Sequence, residues 1–304
     1  MNERESLISA GAGSTKRNLR YIVWFFLLNL LFAWLGASGM GTRAHNIMDH
    51  SGYSDKLLHG FDLAVFVELI NRPDFAPMKS STMPMMIFAV LFFCASLTFM
   101  PGVLLGYSSD HRISRDEFFR ACGRNLWRFV RLFVLAAVIV GAFASGLYAA
   151  QDALATAADK TNYERLPFFT GVAGWVIIFL VLTMVRIWFD LAQTDVVLRD
   201  QAAVRKSVAA GFRMARKNFA RLFGTYVAIS IVGVAILAGG IVLWNMIVPP
   251  ASVLGAFLVS QVTMLLLLGT RFWQRASAVA FYVKQMAEPV VELAPVQAVV
   301  VAAS

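Results

Sequence analysis

Residues 222–270 read LFGTYVAISIVGVAILAGGIVLWNMIVPPASVLGAFLVSQVTMLLLLGT, which is 49 positions without a single Lys, Arg, Asp or Glu. A helix needs about 20 apolar residues to cross the roughly 30 Å hydrocarbon core of a bilayer, so the stretch is long enough for two crossings. Pro249 and Pro250 divide it where a helix cannot continue. The stretch therefore predicts a transmembrane hairpin with spans at about residues 222–248 and 251–270.

Four further uncharged stretches predict four more spans, at about residues 21–41, 83–107, 132–150 and 167–187. The chain is 59% apolar and 15% charged over 304 residues, whereas a soluble domain has about 45–50% apolar and about 25% charged residues. These numbers predict an all-α integral membrane protein with six transmembrane helices. The outer loop 42–82 contains the ten-residue apolar segment Phe61–Ile70, which is too short to span and predicts a short interfacial helix.

The basic residues predict the orientation of the spans. Of the 27 Lys and Arg residues, 21 lie in the amino terminus, the second and fourth loops and the carboxyl tail, and 6 lie in the other three loops. The positive-inside rule therefore predicts that both termini are cytoplasmic. The high pI reflects this asymmetry and does not indicate a nucleic-acid partner. Residues 1–20 are a basic cytoplasmic segment, 21–286 the membrane domain, and 287–304 a tail predicted to be disordered.

Two segments 93 residues apart are similar to each other, and each leads into a predicted span. The matching pairs are Ser114 and Ser207, Phe119 and Phe212, Arg120 and Arg213, Arg124 and Lys217, Asn125 and Asn218, and Arg128 and Arg221. The hairpins that follow end in Arg186-Ile-Trp188 and Arg271-Phe-Trp273, and Arg17-Asn-Leu-Arg20 is a shorter echo before the first span. The chain is predicted to contain three repeats of a basic cytoplasmic helix and a transmembrane hairpin.

The repeated basic segment predicts an amphipathic helix at the membrane interface. Arg120, Arg124, Arg128 and Arg131 share one face, whereas Phe119, Cys122, Leu126 and Phe129 are expected on the other. Ser114 and Glu117 form a capping-box signature at its start. The second copy repeats the basic stripe with Arg213, Lys217 and Arg221. A shared hydrogen bond to the backbone or to a neighbouring repeat is expected for Asn125 and Asn218.

Three functions remain open for these helices. They are binding of anionic phospholipid headgroups, docking of a cytoplasmic protein partner, and recognition of an anionic substrate. The alternative is that the charges only anchor the orientation of the spans.

The predicted spans contain no ionisable residue at mid-membrane and no arrangement typical of a hydrolase, so the chain is predicted not to be an enzyme. Asn29 and Gln261 are the candidates for lining a substrate path, although hydrogen bonding between helices is the favoured role. The outer loop holds His45, His50 and His59, but their spacing to each other and to nearby Asp residues predicts no metal site and no cofactor. The role of these histidines is left open.

Small residues and one charge pair predict local packing. Ala235 and Gly239 form a small-xxx-small pair that predicts a close helix approach in the fifth span. Arg186 and Asp190, four positions apart, predict an ion pair that continues the fourth helix beyond the membrane.

The motif Gly-Phe-Arg-x-x-x-x-Asn-Phe at 211–219 and the sequence Asp190-Leu-Ala resemble a broad set of uncharacterised bacterial six-helix membrane proteins. That set is similar to the membrane domain of some glycerophosphodiester phosphodiesterases. The resemblance implies the same six-helix membrane fold and a location in the bacterial cytoplasmic (inner) membrane. The catalytic domain has no counterpart in this sequence, so the resemblance does not imply phosphodiesterase activity.

The first functional hypothesis is a non-enzymatic envelope or membrane-organising component that binds anionic lipid or a partner through its basic interfacial helices. The alternative is a permease subunit that docks a cytoplasmic ATPase, in which the partner would bind the nucleotide because this sequence has no P-loop. Assembly of a homo-oligomer is compatible with both hypotheses.

Overall fold

The computed structural model describes the backbone of residues 6–48, 82–160, 163, 165–249 and 252–301. It describes the side chains of residues 6–37, 84–158, 160, 163, 165–249 and 252–286. This part of the chain forms eight α-helices and no strand: α1 Leu7–Arg17, α2 Leu19–Met48, α3 Thr82–Ser108, α4 Arg115–Asp159, α5 Leu166–Leu198, α6 Val204–Lys217, α7 Phe219–Ile247 and α8 Val253–Val301. Six of them are long and apolar enough to cross a membrane. The prediction of an all-α membrane protein with six long apolar helices is confirmed.

The helix boundaries differ from the predicted ones at several ends. The first basic segment and the third predicted span form one continuous helix, α4, because no residue between Arg115 and Asp159 interrupts the backbone hydrogen bonds. The second basic segment is a separate helix, α6, which ends at Lys217 with Asn218 as its C-cap before α7 begins. The tail after Met286 was predicted to be disordered, whereas the backbone of α8 continues through it to Val301.

Much of the predicted outer loop lies outside the described residues. The backbone of α2 includes His45, but nothing is described of its side chain, and residues 49–81 are not described. The predictions for His50, His59 and the interfacial helix Phe61–Ile70 therefore stay predictions.

The chain divides into two compact units, which are described separately. The first comprises Met1–Asn18, Thr98–Ser230 and Trp273–Ser304, and the second comprises Leu19–Leu97 and Ile231–Phe272.

The core of the first unit is built around α5. One buried cluster joins α5 to α1, α7 and α8, with members Leu7, Ile187, Leu191, Leu222, Tyr226, Ala278 and Phe281. A second joins α5 to α4 and α6, with members Leu132, Val185, Phe189, Ala192 and Val204. The carboxyl-terminal end of α5 is therefore packed on several sides, by α1, α7 and α8 on one side and by α4 and α6 on another.

The second unit contains the closest helix contacts of α7, but not at the predicted pair. A Cβ atom on Gly240 would lie 2.9 Å from Cγ2 of Thr263 on α8, whereas a Cβ on Gly239 would meet nothing within 4 Å. Gly233, two helical turns before Gly240, faces Thr270 at a looser contact, because a Cβ there would lie 3.4 Å from the Thr270 hydroxyl oxygen. The prediction that Gly239 lies at a close helix approach is wrong, because Gly233 and Gly240, seven positions apart, share the face that meets α8.

Candidate functional site

Helix α6 is amphipathic and packs closely on α5. Its buried residues Val204, Ser207 and Gly211 are three and four positions apart and therefore lie on one face. A Cβ atom on Gly211 would lie 2.9 Å from the backbone oxygen of Trp188, so the two helices approach too closely for any larger residue. The indole Nε1 of Trp188 donates a hydrogen bond of 2.7 Å to the backbone oxygen of Val208. These contacts fix the position of α6 against α5.

The other face of α6, with the first turn of α7, carries cations. The exposed basic residues are Arg205, Lys206, Arg213, Arg216, Lys217 and Arg221. None of them has a carboxylate within ion-pair distance in the part of the chain that the structure describes. This surface, the α6 basic face, therefore presents its charges outward.

The amino-terminal end of α4 has the predicted capping box. Ser114 Oγ accepts a hydrogen bond of 3.2 Å from the backbone N–H of Glu117, and the Glu117 carboxylate accepts one of 2.8 Å from the backbone N–H of Ser114. The capping box is confirmed. It satisfies two backbone groups that the first turn leaves without helical partners.

The predicted apolar face of α4 is only partly buried in the protein. Phe119 is 56% exposed and Leu126 is 38% exposed, whereas Cys122 and Phe129 of the same predicted face are buried. Phe118 and Asn125 are buried beside them. The residues that meet the core are therefore Phe118, Cys122, Asn125 and Phe129, which are four, three and four positions apart. Cys122 is buried, and its thiol lies 3.8 Å from the backbone oxygen of Phe99.

The arginines of α4 have partners within the protein. Arg120 forms an ion pair of 2.6 Å with Asp116 on the same helix. Arg124 pairs with Asp200 at 3.5 Å, and Arg128 donates a short hydrogen bond to the same carboxylate. The guanidinium of Arg131 lies 5.4 Å from the centre of the Trp127 ring. The α4 arginine stripe is thus largely balanced by intramolecular contacts.

Asp200 is positioned by the end of α5. It follows the C-cap residue Arg199 and has φ 52°, a left-handed conformation that Asp and Asn adopt more readily than most residues. This turn directs its carboxylate toward α4. The hydrogen bond from Arg128 is the main cause that lowers the pKa of Asp200; loss of hydration opposes it, and the positive charges of Arg124 and Arg128 add to the lowering.

Three Asn residues make the same local hydrogen bond. The side-chain amides of Asn18, Asn125 and Asn218 each donate to the backbone oxygen four positions earlier, at 3.1, 3.0 and 3.4 Å. Asn18 and Asn218 also share a backbone conformation, with φ −115° and ψ 30° in the first and φ −117° and ψ 32° in the second. The predicted backbone hydrogen bond of Asn125 and Asn218 is confirmed, and Asn18 makes it as well.

Helix α1 docks on α8 in the same way that α6 docks on α5. The indole Nε1 of Trp273 donates a hydrogen bond of 2.9 Å to the backbone oxygen of Ile8. A Cβ atom on Gly11 would lie 2.9 Å from the backbone nitrogen of Ser277, four positions after that tryptophan. The contact of α6 with α5 has the same spacing. Gly211 follows Val208 by three positions, as Gly11 follows Ile8. Gly211 lies against Ala192, which is four positions after Trp188. Gly11 and Gly211 each precede their asparagine by seven positions.

A buried polar cluster, of which the sequence predicted only the Arg186–Asp190 pair, lies in the first unit. Asp190 is 6% exposed, and its carboxylate accepts a hydrogen bond of 2.7 Å from the hydroxyl of Tyr226 on α7. Arg186 approaches the same carboxylate to 3.7 Å, which confirms the predicted pair, and Arg275 of α8 approaches it to 3.9 Å. A buried carboxylate without such partners would be strongly destabilising, so the cluster joins α5, α7 and α8.

A second buried carboxylate lies one and a half turns further along α5. Asp195 is 2% exposed, and its Oδ1 accepts a hydrogen bond of 2.5 Å from the Tyr282 hydroxyl and lies 3.6 Å from Arg199. The only sequence feature that marks these carboxylates is that Asp190 and Asp195 follow closely on the end of the fourth predicted span. Their burial depends on contacts with α7 and α8, which sequence spacing does not reveal.

The two candidates for lining a path lie in the second unit. The Asn29 amide donates to the sulfur of Met264 on α8 at 3.6 Å, three positions after Gln261. This contact is of the kind predicted for a polar residue between helices. Among the described side chains, no group of three or more His, Cys, Asp and Glu residues could hold a metal ion.

Comparison of the chain with protein-family models, with curated proteins and with solved structures found no match.

Proposed function

We propose that this chain is a non-enzymatic component of the bacterial cytoplasmic membrane that organises anionic phospholipid through its basic interfacial helices. The observation that carries the proposal is the α6 basic face, whose six exposed cations have no acidic partner among the described residues. Each basic side chain near an anionic lipid surface contributes about 1 kcal/mol of attraction. The α4 arginine stripe contributes less, because Asp200 and Asp116 already engage three of its members.

The proposal includes three repeats with both termini in the cytoplasm. The common Asn hydrogen bond and the common Trp and Gly contacts of α1 and α6 support it. They also extend the first repeat from the short Arg17–Arg20 echo back to Leu7, because α1 then corresponds to α6.

The lipid proposal is tested by the composition of the lipids that stay with the protein. The full chain is extracted from bacterial membranes with a styrene–maleic acid polymer, and the bound phospholipids are quantified. We expect anionic phospholipid to be enriched over the bulk membrane. The triple variant Arg213→Gln, Lys217→Gln, Arg221→Gln should lose most of that enrichment, whereas Arg120→Gln, which changes an arginine already paired with Asp116, should keep it. Equal composition around the wild-type protein and in the bulk would overturn the proposal.

The orientation is tested by chemical labelling. Cys122 is too buried to report on its side of the membrane, so we choose Arg213→Cys in a chain with Cys94→Ala and Cys122→Ala. A membrane-impermeant maleimide should label this cysteine after permeabilisation and not in intact spheroplasts. Labelling of intact spheroplasts would reverse the proposed orientation.

The alternative proposal, a permease subunit that docks a cytoplasmic ATPase, rests on the same exposed cations, since an acidic protein surface would also bind them. Purification in mild detergent separates the two. Stoichiometric recovery of an ATPase that is lost in the triple variant would favour the permease subunit over the lipid-organising component.

A further inference from the structure

An apolar groove lies beside the α6 basic face, within the first unit. It has a volume of about 340 Å³ and is lined by residues of α4, α5, α6 and α7. Its walls include Phe143 of α4, Met184 and Trp188 of α5, and Phe212 and Ala215 of α6. All of its lining residues are apolar except Arg216. The groove therefore combines one cation with an otherwise apolar surface.

The walls of this groove are held in place before any ligand binds. The Trp188 ring is fixed by its hydrogen bond to Val208 and lies 5.0 Å from the Phe212 ring. The contact of Gly211 with the backbone of Trp188 and Ala192 prevents α6 from moving closer to α5 and closing the space. A preformed groove loses little conformational freedom when it is filled.

The predicted spans place the groove between the headgroup level and about the middle of the bilayer. Arg216 lies on α6, before the fifth predicted span, where the headgroups are expected. Phe143 lies eleven positions after Leu132, where the third span was predicted to begin, which corresponds to roughly 16 Å along a helix. Half of a hydrocarbon core of about 30 Å is of this size. A lipid acyl chain that starts at Arg216 would therefore be covered along much of its length.

Arg216 is available for a phosphate. Its side chain is exposed, and no carboxylate within ion-pair distance of it is found among the described residues. A guanidinium forms strong, often bidentate, hydrogen bonds with phosphate oxygens. Arg213 and Lys217 lie beside it on α6 but do not line the groove, so they provide matched controls.

We propose that this groove is a specific site for one anionic phospholipid of the cytoplasmic leaflet, with an acyl chain against Phe143 and Met184 and the phosphate on Arg216. The inference rests on the proposed function and adds a defined site to it. The occupant is a lipid and not a peptide or a second copy, because the groove meets both the headgroup level and the hydrocarbon level and carries a single cation.

The site is tested with the full chain in non-ionic detergent, titrated with dioleoyl phosphatidylglycerol or dioleoyl phosphatidylcholine and observed by native mass spectrometry. We expect one phosphatidylglycerol to bind more tightly than all later ones. Arg216→Gln should weaken this first binding by about fivefold, the effect of one basic side chain near the lipid phosphate. Arg213→Gln should change it by less than about twofold, because it keeps the groove and its cation.

The acyl chain is tested by filling the groove. Ala215→Trp places an indole in the space and should weaken the first binding by about tenfold or more, and thermal unfolding of the same sample shows whether the variant is folded. Glycerol phosphate, which has the headgroup without the chains, should not compete at concentrations that saturate with phosphatidylglycerol.

The outcomes separate this inference from the proposed function. Equal affinity of the wild-type protein for phosphatidylglycerol and phosphatidylcholine overturns both. Two results would keep the proposed function and overturn the site. In the first, Arg216→Gln and Arg213→Gln reduce the preference for phosphatidylglycerol equally. In the second, the preference survives in folded Ala215→Trp. A dimer that Ala215→Trp dissociates would show that a second copy covers the groove and would also overturn the site.

Discussion

The first half of α4 and helix α6 carry a similar basic pattern 93 residues apart, but their charges have different surroundings. In α4, Asp116 and Asp200 engage Arg120, Arg124 and Arg128. In α6 the matching cations have no acidic partner among the described residues. The difference arises because α4 continues into a membrane helix beside the end of α5, whereas α6 is a separate helix held by Gly211 and Trp188. The two similar basic stripes therefore differ in the number of cations that are free of acidic partners in the described part of the protein and can bind an anionic ligand.

The largest expected effect is on stability, through the close contact of Gly211 of α6 with α5. Gly211→Ala should destabilise the protein by about 1–3 kcal/mol, because the added Cβ would meet the backbone of α5. The matched change Gly123→Ala in α4 meets nothing within 4 Å and should stabilise the helix by up to about 1 kcal/mol. Thermal unfolding in mild detergent, followed by circular dichroism, measures both. Equal shifts would show that the close contact of α6 does not contribute to stability.

The next largest effect on stability is expected from the asparagines at matching positions of the two repeated segments, Asn125 and Asn218. Asn125 is fully buried, donates to the backbone oxygen of Ala121 and accepts a hydrogen bond from Arg128. Asn125→Ala should cost about 1–2 kcal/mol in the same unfolding measurement. Asn218→Ala should cost less than about 1 kcal/mol, because its amide is partly exposed and its hydrogen bond is longer. A larger loss at Asn218 would show that the break between α6 and α7 needs that side chain.

Asp200→Asn should make α4 resemble α6. Asparagine accepts the left-handed backbone of this position, so the change mainly removes the charge that Arg124 and Arg128 contact. In the native mass spectrometry titration, we expect the affinity of the phosphatidylglycerol molecules that bind after the first one to rise by about fivefold, as if one basic side chain had been added. The control Asp116→Asn should have a smaller effect, since an exposed i,i+4 ion pair is weak. No change in lipid affinity for Asp200→Asn would remove the explanation given for the difference between the two helices.

The smallest expected effect is that of pH on the α4 contact. Because the pKa of Asp200 is lowered in the folded protein, its contribution is present above the ordinary aspartate pKa of about 3.9 and is lost as the pH falls through the lower folded value. The difference in phosphatidylglycerol affinity between wild type and Asp200→Asn should therefore stay constant from about pH 7 to about pH 5. A titration midpoint for that difference inside this range would contradict the lowered pKa.

The spans and the capping box could be predicted because their causes are local. Uncharged stretches such as 222–270 report membrane helices directly, and Ser114 with Glu117 satisfies backbone groups three positions apart. The continuity of α4 was not predicted, because a basic stripe and an apolar span look like two elements in sequence although nothing breaks the helix between them.

The partners of the charged residues could not be predicted, because they depend on tertiary contacts. Asp200 reaches Arg128 across 72 positions, and Asp195 meets Tyr282 across 87. The contact face of α4 could not be fixed by period alone either, because Phe118 and Phe119 are adjacent and equally apolar. Gly240 was missed in favour of Gly239 for the same reason.

The docking of α1 on α8 has a consequence for biosynthesis. The indole of Trp273 and the backbone oxygen of Ile8 are separated by 265 positions, so the site for the first helix is completed only when the last one has been made. At about 5–20 residues per second, the ribosome needs about 13–50 s for this distance. During that time the Gly11 face of α1 is uncovered. A chain whose synthesis stops before α8 lacks this contact and keeps the Gly11 face of α1 uncovered.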